Sequence, residues 1–332
     1  MPTTILDVAR ASGFSKSTVS RAFSEPSMVN PDTLETIIYV AEALNYTPNA
    51  IARAMITKKT ENIGFIIYEK QNPVISNPFY APILESIILA TAEKGYSLFI
   101  ASDKDLRLPS GEIMLRKQVD GVIIASQTDT NMILNFQKKN IPVVLINYQI
   151  NLENLYCILS DDYGGIFQAV EYLVSRGHKN IGLLSGRFTP FIYSRRYSAY
   201  LDAMKKYGLT PDYRFVQTVE PTIKDAYLLV SSILSQGDRP TALLCTNDSI
   251  AIGALKAAVR SGLRIPQELS IIGYDNSDLC IVSEPELTTV GTDMAKMGRL
   301  SVEYLMAQIN RQTPNEKIVT VESKLILRGT TN

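Results

Sequence analysis

From residue 62 onward, short apolar runs of strand length alternate with helical stretches, and halfway along the chain the series begins again. Ile63 to Tyr68, Ser97 to Ala101, Val119 to Ala125 and Pro142 to Ile146 form the first set. Lys179-Asn-Ile-Gly-Leu-Leu184 then echoes Glu61-Asn-Ile-Gly-Phe-Ile66, and the runs at Thr241 to Cys245 and Leu269 to Tyr274 continue a second set. Strands that are apolar throughout are buried on both faces, which in a βαβ order means a mostly parallel sheet covered by helices. Two such series predict two similar α/β lobes, with Asp293 to Asn310 as a last amphipathic helix. The 332 residues suffice for each lobe to bury its own core and leave a smaller unit at the front.

That front unit has a different period. Thr4 and Asp7 have capping-box spacing, and Ile5, Val8 and Ala9 repeat at helical intervals until Gly13 stops the helix. Ser15 caps a second helix whose Val19, Ala22 and Phe23 share one face, leaving Lys16, Ser17 and Arg21 outside. Asn30-Pro31 starts a third, with Leu34, Ile37, Ile38, Ala41 and Leu44 as its buried stripe. The spacing Ala9-x3-Gly13-x5-Val19 is that of a helix-turn-helix, in which a small residue lets the helices approach, glycine makes the turn and valine fills the angle. On spacing alone, a small helical cap on the α/β body fits equally well.

Charge does not decide between them. Lys plus Arg and Asp plus Glu are both 33, so no whole-chain field favours nucleic acid or anionic lipid, and any such site is local. Cys157, Cys245 and Cys280 lie in apolar stretches without C-x-x-C spacing, which speaks against disulfides and a zinc site and fits a reducing cytoplasm. The start, Met-Pro-Thr-Thr-Ile-Leu-Asp, lacks the basic and apolar regions of a secretory signal, and no apolar run approaches the ~18 residues of a membrane helix. An enzyme finds little support: the one histidine, His178, reads as a turn residue, and no G-x-S-x-G, P-loop or G-x-G-x-x-G is present. A sugar-binding transport receptor shares the two-lobe layout but has no use for residues 1 to 56.

Tyr46-Thr-Pro-Asn-Ala-Ile-Ala-Arg-Ala-Met55, at its distance from Thr4-Ile-Leu-Asp-Val-Ala9 and Ser17-Thr-Val-Ser-Arg21, resembles the LacI/GalR transcription regulators. The likeness continues through Ser76-Asn-Pro-Phe79, Val119-Asp-Gly-Val122, Gly177-His178, Arg239-Pro-Thr-Ala242, Asn247-Asp248, Ile265-Pro266, Gly273-Tyr-Asp275 and Leu287-Thr-Thr-Val290, and so spans essentially the whole chain. It implies a homodimeric repressor or activator, read here as a repressor of a carbohydrate-utilisation operon, whose heads bind a palindromic operator and whose two lobes close on a small sugar-like effector. It also implies no catalytic residue, cofactor, metal or membrane. The implied division is residues 1–47 as helix-turn-helix headpiece, 48–60 as hinge helix and linker, 61–160 with 291–320 as one effector lobe, and 161–290 with 321–332 as the other.

Carried over by position, Lys16, Ser17 and Arg21 resemble the base-reading residues, and Asn49, Ala50, Arg53 and Met55 belong to the implied hinge helix. Met55 stands where most members have an intercalating leucine; it either wedges into the minor groove or packs on its own headpiece. For the effector the likeness points to Phe79, Tyr80, Asn147, Arg196, Asn247 and Asp275. Aromatic faces stack on the apolar side of a sugar ring while Arg and Asp satisfy several hydroxyls, so the chemistry suits a sugar or sugar phosphate, with a nucleobase or nucleoside, which the same aromatics would also stack on, as the alternative within the family. Asp248 reads as a helix N-cap, Phe79 and Tyr80 have the hydrophobic core as their structural alternative, and Arg196 has a surface ion pair as its own. Pro221 stands near where relatives place a stacking aromatic, a contact that Phe188, Phe191 or Tyr193 could supply instead. Glu69 to Ser76 resembles the corresponding segment of maltose-type regulators. The lack of a leucine-rich helix after Leu327 fits a dimer and not a tetramer.

Overall fold

The structure is a computed structural model, which describes residues 3–47, 59–67, 77–102, 110–125, 127–187 and 191–331. The chain divides into two compact units, Met1–Asn62 with Gln118–Asp120, and Ile63–Lys117 with Gly121–Asn332.

The first unit holds three α-helices among its described residues, α1 (Ile5–Ser12), α2 (Lys16–Ser24) and α3 (Pro31–Ala43), with a short 3-10 turn at Pro26–Met28. Their ends follow the capping chemistry. The Thr4 amide and hydroxyl donate to the Asp7 carboxylate at 2.9 and 2.7 Å, Ser15 Oγ accepts from the Thr18 amide at 3.1 Å, and Asn30 Oδ1 accepts from the Asp32 amide at 3.0 Å. Gly13 ends α1 at φ 75°, a left-handed backbone that glycine enters without steric cost. Val8, Ala9, Val19, Ala22, Ile37 and Ala41 form the core. The stripe expected on α3 is narrower than the sequence suggested. Ile38 is 40% exposed and Tyr39 72%, because so small a core covers only the line through Leu34, Ile37, Ala41 and Leu44. The predicted hinge, with Asn49, Ala50, Arg53 and Met55, lies outside the described residues.

The second unit contains two six-stranded sheets among its described residues. The first has the order β11-β5-β4-β3-β1-β2, comprising β1 (Asn62–Ile67), β2 (Ser97–Ser102), β3 (Gly121–Ala125), β4 (Val143–Ile146), β5 (Tyr156–Ser160) and β11 (Ile318–Val321). The second has the order β12-β10-β9-β8-β6-β7, comprising β6 (Ile181–Ser185), β7 (Val216–Thr218), β8 (Ala242–Cys245), β9 (Ser270–Tyr274), β10 (Thr288–Thr292) and β12 (Ser323–Ile326). β1 pairs in parallel with β3, Ile63 opposite Gly121, just as β6 pairs with β8, Ile181 opposite Ala242. The strands that echo one another in sequence thus hold the same place in the two sheets. β12 departs from the parallel expectation and runs antiparallel to β10.

Helices α4 (Tyr80–Glu93), α5 (Ser110–Arg116), α6 (Thr130–Lys138) and α12 (Met294–Ile309) serve the first sheet. α7 (Asp162–Ser175), α8 (Phe191–Lys206), α9 (Ile223–Ser235), α10 (Asp248–Arg260) and the short α11 (Leu279–Val282) serve the second. α12 lies so close on α4 that a Cβ at Gly298 would stand 2.7 Å from the Ile83 carbonyl oxygen.

The chain passes between the sheets three times, at Asp161, at Thr292–Asp293 and at Glu322, the single residue separating β11 from β12. Hydrogen bonds lace these crossings together. The Asp161 amide donates to the Val321 carbonyl at 2.9 Å, Thr292 Oγ1 and Ser323 Oγ are 2.7 Å apart, and the Tyr274 hydroxyl donates to Ser323 Oγ at 3.3 Å.

Candidate functional site

In open α/β sheets the strands run toward a common edge, and ligands bind in the crevice beyond their carboxyl ends. Here that edge carries a cleft open to solvent. Asn77, Phe79 and Tyr80 bring one wall from the start of α4, while Ile192, Tyr193 and Arg196 of α8 bring another. Asn247, Asp248 and Ser249 at the start of α10, Asp275 and Ser277 after β9, and Pro221 before α9 also line it.

Arg196 organises the floor. Its side chain is 1% exposed, so the surface ion pair considered from sequence does not describe it. Nε donates to Asp162 Oδ1 at 2.9 Å, Nη1 donates to the Thr246 carbonyl and to Asp275 Oδ1 at 3.4 Å, and the guanidinium lies 3.6 Å from the centroid of the Tyr274 ring. Such a residue is held by charge, hydrogen bonds and stacking together, a set of contacts that lysine cannot reproduce. Burial pushes the Asp275 carboxyl well above the ordinary carboxylate range, against the pull of Arg196. Its backbone has φ 110° and that of Asn276 φ 53°, two successive non-glycine residues in left-handed space. The turn is held from several sides. The Asp275 amide donates to the Val290 carbonyl at 2.7 Å, the Ser277 amide and hydroxyl donate to Asp248 Oδ2 at 2.7 and 2.9 Å, and Arg328 Nη2 donates to Asn276 Oδ1 at 2.7 Å.

Asp248 is therefore a buried acceptor and not the N-cap expected of it. The cap of α10 is Asn247, whose Oδ1 accepts from the Ile250 amide at 2.8 Å and whose Nδ2 donates to the Tyr193 hydroxyl at 3.3 Å. Five of the six residues proposed from sequence for the effector, Phe79, Tyr80, Arg196, Asn247 and Asp275, line this one cleft. Asn147 does not. It sits buried after β4, where Oδ1 accepts from the Ser160 amide at 2.8 Å and Nδ2 has no partner. Tyr193 lines the cleft beside Pro221, whereas Phe191 packs edge-on against Tyr148; Phe188 and Glu69 to Ser76 lie outside the described residues. Asn77, Asp162 and Ser277 were missed. Asn77 stood in a quoted motif, but its use as an acceptor for the Phe79 and Tyr80 amides, at 3.0 and 3.1 Å, left no mark in residue type.

In the first unit Lys16, Ser17 and Arg21 are all exposed on α2. α2 carries no acidic residue, so its outer face presents two cations and hydroxyls.

Residues 4–49 match the family model described as bacterial regulatory proteins, lacI family, and residues 170–331 match a periplasmic binding protein-like domain. The chain is 33% identical to catabolite control protein A of Priestia megaterium over 100% of both chains. It is 30% identical to the HTH-type transcriptional repressor PurR of Pasteurella multocida over 98% of this chain and 97% of that one. The chain belongs to the lacI family. A solved structure of the Lac repressor dimer bound to operator and an anti-inducer superposes with a TM-score of 0.85 at 25% identity, covering 100% of this chain and 99% of that one. Membership settles the two units. This lacI-family protein is a DNA-binding transcriptional regulator in which a helix-turn-helix unit accompanies a periplasmic-binding-protein-like ligand domain. Among the described residues, no helix is long and apolar enough to cross a membrane.

Proposed function

We propose that the protein acts in the cytoplasm as a homodimeric repressor, without catalytic activity, whose grip on a palindromic operator is governed by a polyhydroxylated effector in the cleft. The observation carrying the effector reading is the pairing of Arg196 with Asp275 beneath apolar walls. Asp275 commits Oδ1 to Arg196, and Oδ2 accepts from no protein group among the described residues. A guanidinium edge beside a carboxylate satisfies a vicinal diol, one hydroxyl donating to the acid while its neighbour accepts from the base. Phe79, Ile192, Tyr193 and Pro221 offer surfaces for the C–H faces of a ring. Lys16, Ser17 and Arg21 would read the operator from α2, and Asn49, Ala50, Arg53 and Met55 would enter its minor groove. The likeness to the operator-bound Lac repressor dimer supports the dimer and the operator.

The test pairs a thermal-shift screen of sugars with operator retardation in the presence of each hit. Asp275→Ala should weaken effector binding by about 1–3 kcal/mol or more, the cost of an unmatched buried polar group, and leave operator binding intact. Full effector response in that variant would remove Asp275 from the site, and loss of operator binding would make its role structural.

A further inference from the structure

Tyr193 stands on α8 one turn before Arg196, so the two side chains share a face of that helix, and both line the cleft. Its ring is seated against Gly186, the residue after β6. A Cβ on Gly186 would stand 2.6 and 2.7 Å from Tyr193 Cζ and Cδ2, and closer still to Cε2. Gly186 is buried and its φ lies outside the left-handed region, so it is the ring, and not the backbone, that requires glycine there. At the far end of the ring the hydroxyl accepts from Asn247 Nδ2 at 3.3 Å, and Asn247 is itself fixed as the cap of α10. Gly186 and Asn247 are neighbours through Thr246, the residue after β8, whose Oγ1 accepts from the Gly186 amide at 3.2 Å. The ring therefore spans the carboxyl ends of β6 and β8, which pair side by side in the second sheet. That is where a ligand in an α/β crevice would otherwise come down onto the strands.

We infer that Tyr193 is the size-determining residue of the cleft: its ring, seated in the room that Gly186 leaves, fills the space above β6 and β8 and holds the effector to a smaller one than the remaining walls would admit. This rests on the reading of the cleft as the effector site and adds to it the residue that limits how large the effector is. The limit is steric. Removing the ring vacates space beside Pro221 that a further part of a ligand can occupy. Adding a methyl group at Gly186 acts the other way. The three nearest atoms such a group would meet all belong to the Tyr193 ring, the movable end of a side chain, so the ring is what yields, away from β6 and into the cleft it lines.

The experiment measures the full chain by calorimetry against two ladders of graded size, ribose, glucose, maltose and maltotriose in one, adenine and adenosine in the other, and reads the ratio of affinities for a larger and a smaller rung. Tyr193→Ala should raise that ratio at least about tenfold, the scale of one group gained or lost in a pocket. Gly186→Ala should lower it, and Tyr193→Phe, which keeps the ring, should keep the wild-type ratio. A merely structural role for Tyr193 would weaken all rungs alike. Ratios that stay unchanged in Tyr193→Ala and Gly186→Ala, or move in the same direction in both, overturn the inference, and sugar binding by the wild type leaves the polyol reading standing. Opposite shifts on the adenine ladder alone uphold the inference and remove the polyol reading. Binding of no rung of either ladder to the wild type removes the cleft as read here, and the inference falls with it. Operator retardation shows which variants are folded, and either one alone gives the sign if the other is not.

Discussion

His178 is the only histidine in the chain, so it is the one side chain whose ordinary titration falls near neutrality. Its ring bridges Thr241 Oγ1 at 3.0 Å and Ser270 Oγ at 3.1 Å, fastening the turn before β6 to the starts of β8 and β9. Burial, with a smaller push from Arg176, holds its pKa below the ordinary 6.5. The unfolded chain therefore takes up the proton first as pH falls, and stability is lost from about 6.5 downward, through the folded-state value. Melting temperatures between pH 7.5 and 5.5 should fall in the wild type, and more gently in His178→Gln; parallel profiles would refute the assignment. Arg328 offers a second residue-scale test. Its guanidinium donates to the Leu287 carbonyl at 2.9 Å as well as to Asn276, clamping the left-handed turn that carries Asp275. Arg328→Ala should cost about 1.5–3 kcal/mol in denaturant unfolding, the range for hydrogen bonds from a charged group, and weaken effector binding without touching the ligand. Sequence is least legible at this scale. Asn247 and Asp248 are adjacent polar residues at a helix start, and only the direction of each side chain decides which caps α10 and which goes inside.

The secondary-structure elements were easier to read where physics leaves one choice. β1, β3, β4, β6, β8 and β9 are buried on both faces and appear as unbroken apolar runs. β11, β12 and β7 are partly exposed strands of three or four residues whose alternation is too short to stand out, and they were not foreseen. β5 is fully buried, yet its run of Tyr156, Cys157, Ile158 and Leu159 follows closely on β4 without a helix between, so it broke the expected alternation. The helices of the first unit were legible because their starts are chemical signals, and α2 is the element to test. With Lys16, Ser17 and Arg21 exposed on its outer face, Arg21→Ala should lose about 1–3 kcal/mol on the cognate operator and relax preference at one base pair. Unchanged affinity in a salt-matched titration would take Arg21 out of the interface. Ser15→Ala should cost about 1 kcal/mol of stability through the lost cap, visible as a lower unfolding midpoint.

At the scale of the whole molecule, exposed apolar residues occur on many of the described elements, among them α4, β2 and α11. Ile88 and Leu89 on α4 are 44% and 60% exposed and Ile100 on β2 48%, while Ile281 and Val282 on α11 are 57% and 75% exposed. The dimer proposed above needs an apolar contact surface, and these residues are the ones we select to test for it. Leu89→Glu combined with Val282→Glu should give a monomer by light scattering that still binds the effector and has lost most of its operator affinity. A dimer of unchanged stability would place the interface elsewhere. The laced crossings at Asp161, Thr292–Asp293 and Glu322 bear on how such a molecule responds to its ligand. One connecting strand would let the lobes swivel, tilt and slide independently, and two would still allow a twist. Here Asp161 is tied to Val321 and Thr292 to Ser323, so any rearrangement of one sheet against the other has to carry all three crossings along together or break these bonds.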